Sequence, residues 1–258
     1  MWLLKNINGN NSVFSKIGYF SDQEGIMSRY IRESEHWKTH LENTKSFILK
    51  ASENKWKTKA AILGSGWLLD VPIEQLSSKF EEVWLYDVKH PAQIRRKIDS
   101  YTNIKLVETD ISGFARNIFD NAKRPLTDFS LLNLRPRFDF DLHDFDFVVS
   151  CNLLNQLDII LIDYLKKKQK LTADTELQIR RLIQETHLKL LPKLKSCLIS
   201  DIEELAIDAQ NNVIGKKPLV YTDKLQLNSS DSWVWKFDNH QTYHLQHNTW
   251  FNVIGVDW

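Results

Sequence analysis

Through the middle of the chain, short apolar runs are separated by longer segments of mixed apolar and polar residues. This pattern predicts strands that alternate with helices along the sequence. Short apolar runs predict strands near residues 60–63, 83–86, 104–107, 146–150 and 196–201. Between them, apolar residues recur every three to four positions, the spacing of a helix that packs on one face. Strands that alternate with helices form a mostly parallel sheet with right-handed crossovers.

The first fifty residues favour one long helix. From Ser21 to about Ser52, apolar residues recur at intervals of three, four and seven, and charged residues fill the other face. Ser21 precedes Glu24 at the spacing of a capping box, so we expect the helix to begin there. An amphipathic helix of this length needs a surface to lie against.

The last fifty residues alternate with period two instead. Residues 233–237 and much of residues 242–256 follow this pattern, which predicts an antiparallel pair of strands. Residues 121–143 are rich in Asp, Arg and Pro and have no clear period, so we interpret them as an inserted loop. We expect a helical cap over residues 1–58 and one α/β domain over residues 59–258.

Composition narrows the classes of protein that the chain can represent. It has 258 residues, 42% of them hydrophobic, which is enough for a sizeable core. The net charge of +1 gives no global electrostatic case for nucleic-acid binding. No apolar run reaches the length of a membrane span. Cys151 and Cys197 each lie in an apolar run and are expected to be buried free thiols. Because the first residues also lack the pattern of a signal peptide, we expect a cytoplasmic protein.

Candidate chemistry follows the ends of the first three predicted strands. The turn Gly64-Ser65-Gly66 follows the first strand, Asp87 the second and Asp110 the third. Glycines let the backbone approach a ligand without a Cβ in the way. Asp87 lies 21 residues after Gly66, near where a Rossmann-type fold holds a ribose diol. The layout is typical of a nucleoside-cofactor site.

Four segments carry a resemblance to a known family: Ile62–Leu68, Tyr86–Asp87, Thr109–Ile111 and Asp146–Leu157. Over about residues 59–205, the chain resembles class I S-adenosylmethionine-dependent methyltransferases, and more narrowly a bacterial methyltransferase-like group of unassigned substrate. The resemblance implies a three-layer Rossmann-like methyltransferase fold, with a mostly parallel seven-stranded sheet, a C-terminal antiparallel hairpin and an N-terminal helical cap. It also implies S-adenosyl-L-methionine as cofactor and methyl transfer to a small-molecule acceptor.

The resemblance assigns roles to residues that match the family's motifs. Gly64, Ser65 and Gly66 match its cofactor loop, and Asp87 matches the acid that accepts the ribose hydroxyls. Asp110 matches the residue that reaches the adenine amino group, with Ile111 against the ring. Ser150 matches the segment that faces the methionine part, and Asn152 in the same segment is the candidate that lines the transfer site.

Two positions depart from the family's pattern. Ile62 stands where an acid that helps hold the cofactor's amino group is expected, and Leu68 stands where a third glycine is expected. Asp70 is a candidate substitute for the missing acid. Both departures favour an alternative in which the fold binds a ligand or a partner but has lost catalysis.

Other interpretations stay open. Asp87 suits a nicotinamide cofactor as well, although Leu69 replaces the third glycine of that fingerprint and a Tyr-x-x-x-Lys pair is absent. Asp110 is alternatively the cap of the helix that follows it. Asn152 is alternatively a polar residue of a loop. Trp67 either roofs the cofactor or packs under the next helix.

The remaining polar clusters are interpreted mainly as structural. His36 and His40 share a helix face without an acidic partner motif, so we place both on the helix surface. In a hairpin strand, His244 and His247 point to opposite faces, so we expect no metal site. Asp201, Glu203 and Glu204 follow strand five at the carboxyl edge of the sheet and are interpreted as a solvated loop; the alternative is a general base or a cation-binding edge.

The N-terminal helix has two possible positions on the domain. It either borders the acceptor pocket, with Tyr30 and Arg32 nearest, or only covers a hydrophobic face of the sheet. The oligomeric state and the identity of the acceptor do not follow from the sequence.

Overall fold

The computed structural model describes residues 12–123, 134–223 and 231–258. Eight strands of these residues form one sheet: β1 (Lys59–Leu63), β2 (Glu82–Asp87), β3 (Ile104–Glu108), β4 (Phe147–Cys151), β5 (Ser196–Ile207), β6 (Val213–Pro218), β7 (Asp231–Asp238) and β8 (Asn248–Asp257). The main helices are α1 (Tyr19–Ala51), α2 (Ile73–Lys79), α3 (Ala92–Ile98), α4 (Ala115–Asn121), α5 (Gln156–Lys166) and α6 (Ala173–Leu190).

The strand order confirms the predicted fold class. It runs β3-β2-β1-β4-β5-β8-β7, with the first five strands parallel and β8 antiparallel to both β5 and β7. The order reverses between β1 and β4, so the carboxyl ends of these strands border a crevice where open α/β sheets bind ligands.

The sheet has one strand more than the seven predicted. β6 pairs with the far half of β5, which runs on to Ile207 rather than ending near residue 201. Its residues are mostly exposed and carry little apolar alternation, so the pattern of residues does not predict a strand there. The interpretation of residues 201–204 as a loop is therefore wrong. Lysines of β6 lie across from Glu203 and Glu204 and offset their charge within the sheet.

Alternation along the strands divides the core between two faces of the sheet. Ala61 and Leu63 of β1 face one side, where α4, α5 and α6 pack, and Ala60 and Ile62 face the other, where α1, α2 and α3 pack. Successive side chains of a strand point to opposite faces, so a sheet buried on both sides needs apolar residues throughout. This gives the three predicted layers.

Helix α1 is part of the core, and it begins before the predicted cap. Gly18 precedes its first turn with φ at 114°, and the Ser21 hydroxyl donates back to the Gly18 carbonyl at 2.9 Å. The predicted capping box is therefore absent, because Ser21 already lies inside the helix. Further along, Trp37 and Phe47 are buried, and Trp37 Nε1 donates to the Phe237 carbonyl at 2.9 Å. These contacts fix the helix against β7.

The predicted inserted loop is only partly described, since residues 124–133 lie outside the described residues. Its first residue ends α4, and after the gap Leu134 and Leu142 are buried in the core. The described end of this segment therefore packs on the domain. Residues 1–11 of the predicted cap also lie outside the described residues, and the division at residue 58 stays a prediction.

Two smaller predictions concern thiols and membranes. Cys151 and Cys197 are both buried and unbridged, as expected, and burial raises the pKa of each thiol. Within the described ranges, every helix is too short or too polar to cross a membrane.

Candidate functional site

A cavity lies at the carboxyl edge of the sheet, beneath residues 19–41 of α1. Seven of the eight predicted cofactor-binding and catalytic residues line it: Gly64, Ser65, Gly66, Asp87, Asp110, Ile111 and Asn152. They come from the ends of β1, β2, β3 and β4, which the parallel sheet brings to one edge. The topology, rather than proximity in the sequence, assembles this wall.

The two glycines of the turn have different reasons to be glycine. Gly64 has φ at 79°, and a Cβ there would lie 2.5 Å from Leu153 Cγ and 2.9 Å from the Cys151 carbonyl oxygen. The chain itself fills that space. Gly66 has φ at 41°, and its Cβ would meet no atom nearer than Asp87 Oδ2, at 3.7 Å. Gly66 is thus the glycine that leaves room beside the cavity.

Leu68, where the resemblance implies a third glycine, has a backbone conformation that glycine adopts easily. Its φ is 54°, in the left-handed region that costs an ordinary residue about 1–2 kcal/mol. The side chain is buried in the core on the α1 face of the sheet, which offsets that cost. The turn therefore retains a glycine-like path without the third glycine. Ile62, at the position of the expected acid, is fully buried and does not line the cavity.

Asp87 anchors the turn through its carboxylate. Oδ2 accepts from the Gly66 N–H at 2.7 Å, and Oδ1 accepts from the Val88 N–H at 2.7 Å. From α1, Gln23 Nε2 donates to Oδ1 at 3.2 Å. Burial raises the pKa of Asp87 to about 6, and the backbone donors act against that shift. A carboxylate offers about four acceptor positions, so a ligand hydroxyl can join or replace Gln23.

Asp110 serves as a cap, the alternative left open above. Oδ1 accepts from the Ser112 N–H at 2.9 Å, and Oδ2 accepts from the Ala115 N–H at 2.8 Å at the start of α4. Burial raises its pKa. Since Asp110 and Ile111 also line the cavity, their contact with an adenine ring stays a prediction.

Asn152 belongs to a polar cluster on the wall. Its φ is 50°, a conformation that asparagine tolerates better than most residues. Nδ2 donates to Asp70 Oδ2 at 2.7 Å and lies 3.3 Å from His40 Nε2. Its Oδ1 is buried and has no hydrogen-bond partner among the described residues. Asp70 lines the same cavity, and burial raises its pKa.

The placement of His40 on the helix surface was wrong. It is buried and stacks on Trp235 with ring centroids 4.0 Å apart, and it lines the cavity. Trp233 Nε1 donates to His40 Nδ1 at 3.0 Å, so this ring nitrogen acts as an acceptor. Burial lowers the pKa of His40 to about 3, so the ring is neutral near pH 7. The burial of His40 could not be predicted from local sequence, because its aromatic partners lie about 190 residues away in the chain.

Ser150 does not line the cavity. It is fully buried, and its hydroxyl lies 2.7 Å from His187 Nε2 on α6, on the opposite face of the sheet. Strand alternation explains the error, because the neighbouring Cys151 faces the cavity side. Ser150 is therefore placed as a structural residue of the core.

Helix α1 roofs the cavity, though not through the predicted residues. Tyr19 and Gln23 line it, while Tyr30 and Arg32 do not. Trp67 also lines the cavity and donates from Nε1 to the Gln23 carbonyl at 2.7 Å, so it fastens the roof to the turn. The sequence predicts the helix but not its position along its own axis: Gln23 and Tyr30 lie on the same helix face two turns apart, and Gln23 is the one that lies over the turn.

A second polar cluster lies away from this cavity. The loop between β7 and β8 brings His244 and His247 together beside Glu204 of β5. The expectation that the two histidines face opposite ways was wrong, because β8 begins at Asn248 and both rings lie in the loop before it.

Comparison with known proteins gives distant structural matches only. No protein-family model matches the chain, and no curated protein matches it. The fold is similar to that of the N-methyltransferase NodS from Bradyrhizobium japonicum in complex with S-adenosyl-l-homocysteine. The two sequences are 13% identical, the match covers 84% of this chain and 86% of that chain, and the TM-score is 0.41.

Two further solved structures are similar. A 1,6-didemethyltoxoflavin-N1-methyltransferase from Burkholderia thailandensis has 9% identity over 91% of this chain and 87% of that chain, with a TM-score of 0.42. A precorrin 8w decarboxylase from Methanobacterium thermoautotrophicum has 13% identity over 83% and 90%, with a TM-score of 0.29. Likenesses this distant assign no activity, cofactor or substrate to the chain.

Proposed function

We propose that this protein transfers a methyl group from S-adenosylmethionine to a small-molecule acceptor. The observation that carries the proposal is the meeting of four strand ends in one roofed cavity: the glycine turn, Asp87, Ile111 and Asn152. Each of these positions matches a cofactor or substrate position of the methyltransferase pattern described above.

The ribose end of the cofactor fits beside Asp87. Its carboxylate lies at the end of β2 and is held by backbone N–H groups of Gly66 and Val88, so its direction is fixed before a ligand arrives. In this proposal the ribose hydroxyls donate to the remaining acceptor positions and displace Gln23. The space beside Gly66 favours that arrangement, because a Cβ there would meet Asp87 Oδ2 no closer than an ordinary 3.7 Å.

The methionine end fits the polar cluster on the opposite side of the turn. Asp70 lines the cavity and supplies the carboxylate that Ile62 does not. Its contact with Asn152 holds it in place at 2.7 Å. We assign Asp70 to the cofactor's amino group, and the unpartnered Oδ1 of Asn152 indicates a further polar contact that a ligand satisfies.

When bound, S-adenosylmethionine supplies an electrophilic methyl group. The chain's own contribution is alignment and exclusion of water, which can supply much of a barrier reduction when the reacting atoms are held in line. His40 does not act as a base, because its pKa is low and its Nδ1 already accepts from Trp233. Its Nε2 faces the side-chain amide of Asn152.

The acceptor side of the cavity favours a small molecule with apolar or aromatic surface. Ile26 and Leu41 of α1 line it together with Trp37, His40 and Trp235. These residues come from helix α1 and strand β7, which close over the cavity. A roofed pocket of this kind favours a compact acceptor over a polymer.

The test uses S-adenosylmethionine with a deuterated methyl group. The purified protein is incubated with the labelled cofactor and a fractionated small-molecule extract, and labelled products are identified by mass spectrometry. We expect a labelled product that is lost in Asp87→Asn and retained in Glu82→Gln, a matched change at the other end of β2.

Two results would favour other functions. Thermal stabilisation by NAD but not by S-adenosylhomocysteine would support the oxidoreductase alternative. Cofactor binding without label in any fraction would support a methyltransferase fold that has lost catalysis, the alternative suggested by Ile62.

A further inference from the structure

A cluster of two histidines and one glutamate lies outside the cavity just described. Glu204 lies on β5, and His244 and His247 lie in the loop of residues 239–247. The three residues offer one ligand atom each, and these atoms all lie within 4.8 Å of one another. We propose that Glu204, His244 and His247 bind a divalent transition-metal ion such as Zn²⁺.

The loop is shaped before any ion binds. Asp238, at the end of β7, accepts from the Thr242 N–H at 2.7 Å and from the Tyr243 N–H at 2.6 Å. Both bonds go to one carboxylate oxygen, so they turn the chain back on itself. The turn places His244 Nε2 at 3.0 Å from Glu204 Oε1. Two of the three ligand atoms are therefore already adjacent.

The third ligand needs only a small movement. The rings of His244 and His247 have centroids 4.8 Å apart and are tilted by 31°. Zinc bonds of about 2.0–2.2 Å place tetrahedral ligand atoms roughly 3.3–3.5 Å apart, so a separation of 4.8 Å closes by about 1.5 Å at most. Both imidazoles are partly exposed, which gives them the freedom to make that movement.

The donor set selects the class of metal. Two imidazole nitrogens and one carboxylate suit zinc and its first-row neighbours, and three protein ligands leave a position for water. Glu204 is only 8% exposed, so its charge is poorly solvated and gains from a cation. Its present cation is Lys217, whose Nζ lies 3.9 Å away on an exposed side chain that can leave.

A similar trio elsewhere does not have this geometry. Glu33 is contacted by His36 through one carboxylate oxygen and by His240 through the other, and the two rings are 6.2 Å apart. Among the described residues, the Glu204 cluster is the group whose ligand atoms come within metal-binding reach of one another. The Glu33 cluster therefore serves as an internal control of the same composition.

An ion at this site would tie the sheet to the roof of the cavity. The same loop contacts α1 through Arg32, whose Nη2 donates to Thr242 Oγ1 at 2.9 Å. Arg29 lies over the Tyr243 ring with its guanidinium carbon 5.3 Å from the centroid. Fixing His244 and His247 to Glu204 would hold that loop, and through it α1, against β5.

The test is a titration of the full-length, metal-free protein with Co²⁺, followed by visible absorption, and with Zn²⁺, followed by the melting temperature. We expect one equivalent of Co²⁺ to give a saturable absorption band and Zn²⁺ to raise the melting temperature. His244→Ala and His247→Ala should each weaken binding by more than about 100-fold, beyond the roughly 10–100-fold cost of altering an outer partner. His36→Ala, in the control trio, should leave binding unchanged.

Three results would overturn the proposal. One is the absence of a saturable Co²⁺ band in the wild-type protein. Another is unchanged affinity in both His244→Ala and His247→Ala. A loss in His36→Ala as large as the loss in His244→Ala would also refute it, because binding would then belong to the other trio. Circular dichroism of each variant checks that the fold is intact.

Discussion

The two glycines of the turn should separate stability from ligand binding when each is changed to alanine. At Gly64, the left-handed backbone costs an alanine about 1–2 kcal/mol, and the added Cβ meets Leu153 Cγ at 2.5 Å. Overpacking of that kind costs roughly 1–3 kcal/mol. Gly64→Ala should therefore lower the free energy of unfolding by about 2–5 kcal/mol, a large part of the roughly 5–15 kcal/mol of a typical domain.

Gly66→Ala should behave differently. Its backbone cost is similar, about 1–2 kcal/mol, but the nearest atom to the new Cβ is Asp87 Oδ2 at an ordinary 3.7 Å. The methyl group would lie beside the carboxylate proposed to hold the ribose. We expect modest destabilisation and at least a tenfold loss of S-adenosylhomocysteine affinity, about 1.4 kcal/mol.

The assay is urea unfolding for stability and calorimetric titration for binding, with Gly25→Ala as the matched control. Gly25 lies in α1 with nothing within 4 Å of an added Cβ, so alanine there should stabilise by about 0.5–1 kcal/mol. A Gly64→Ala protein as stable as wild type would refute the packing argument. Wild-type affinity in Gly66→Ala would refute the placement of the ribose.

Three further outcomes are expected. Leu194→Gly should raise the free energy of unfolding by up to about 1 kcal/mol, because Leu194 has φ at 65° and its side chain is 84% exposed. Leu68→Gly should lower it, because the Leu68 side chain is only 6% exposed and the cavity left by its loss costs about 2–5 kcal/mol. Urea unfolding of both variants measures the two changes. Burial raises the pKa of Asp201 to about 7, above its usual 3.8. The folded state therefore holds the proton of this carboxyl group more tightly than the unfolded state does. The contribution of Asp201 to stability falls as the pH rises from about 4 to 7. Asp201→Asn should therefore gain stability relative to wild type at pH 8 but not at pH 4, and an equal difference at both pH values would contradict the assignment. Trp67→Phe removes the bond to the Gln23 carbonyl and should lower the free energy of unfolding by about 1 kcal/mol while weakening cofactor affinity; unchanged affinity would mean that the roof does not depend on this contact.

Local patterns predicted most of the fold, because strands and helices here follow their apolar periodicity closely. β2 and β3 match their apolar runs, and the order of elements implied the parallel sheet. Strand β6 was not predicted, because an exposed edge strand needs no apolar alternation. Its pairing with β5 and its lysines near Glu203 and Glu204 stabilise it instead. Its position depends on tertiary contacts that a local pattern does not contain.

For the candidate site, too, some positions follow from local sequence patterns and others depend on tertiary contacts. The positions of Gly64, Asp87 and Asn152 at one cavity wall could be predicted because strand ends in a parallel sheet meet at one edge, while their roles stay a prediction. Ser150 was assigned by its match to a family segment, but its side chain points to the other face of the sheet from the cavity, because side chains alternate between faces along a strand. His40 was missed because its burial depends on aromatic residues of β7, far away in the sequence.

Calorimetric titration of S-adenosylhomocysteine into the wild-type protein and into Asp87→Asn decides whether Asp87 holds the ribose of this cofactor. We expect the wild type to bind one equivalent saturably and the variant to bind at least tenfold more weakly, because the ribose loses a charged acceptor worth roughly 1.5–3 kcal/mol per hydrogen bond. Glu82→Gln, at the other end of β2, should bind like wild type. No binding by the wild type, or equal binding by Asp87→Asn with its fold intact, would mean that the cavity does not hold S-adenosylmethionine in this way.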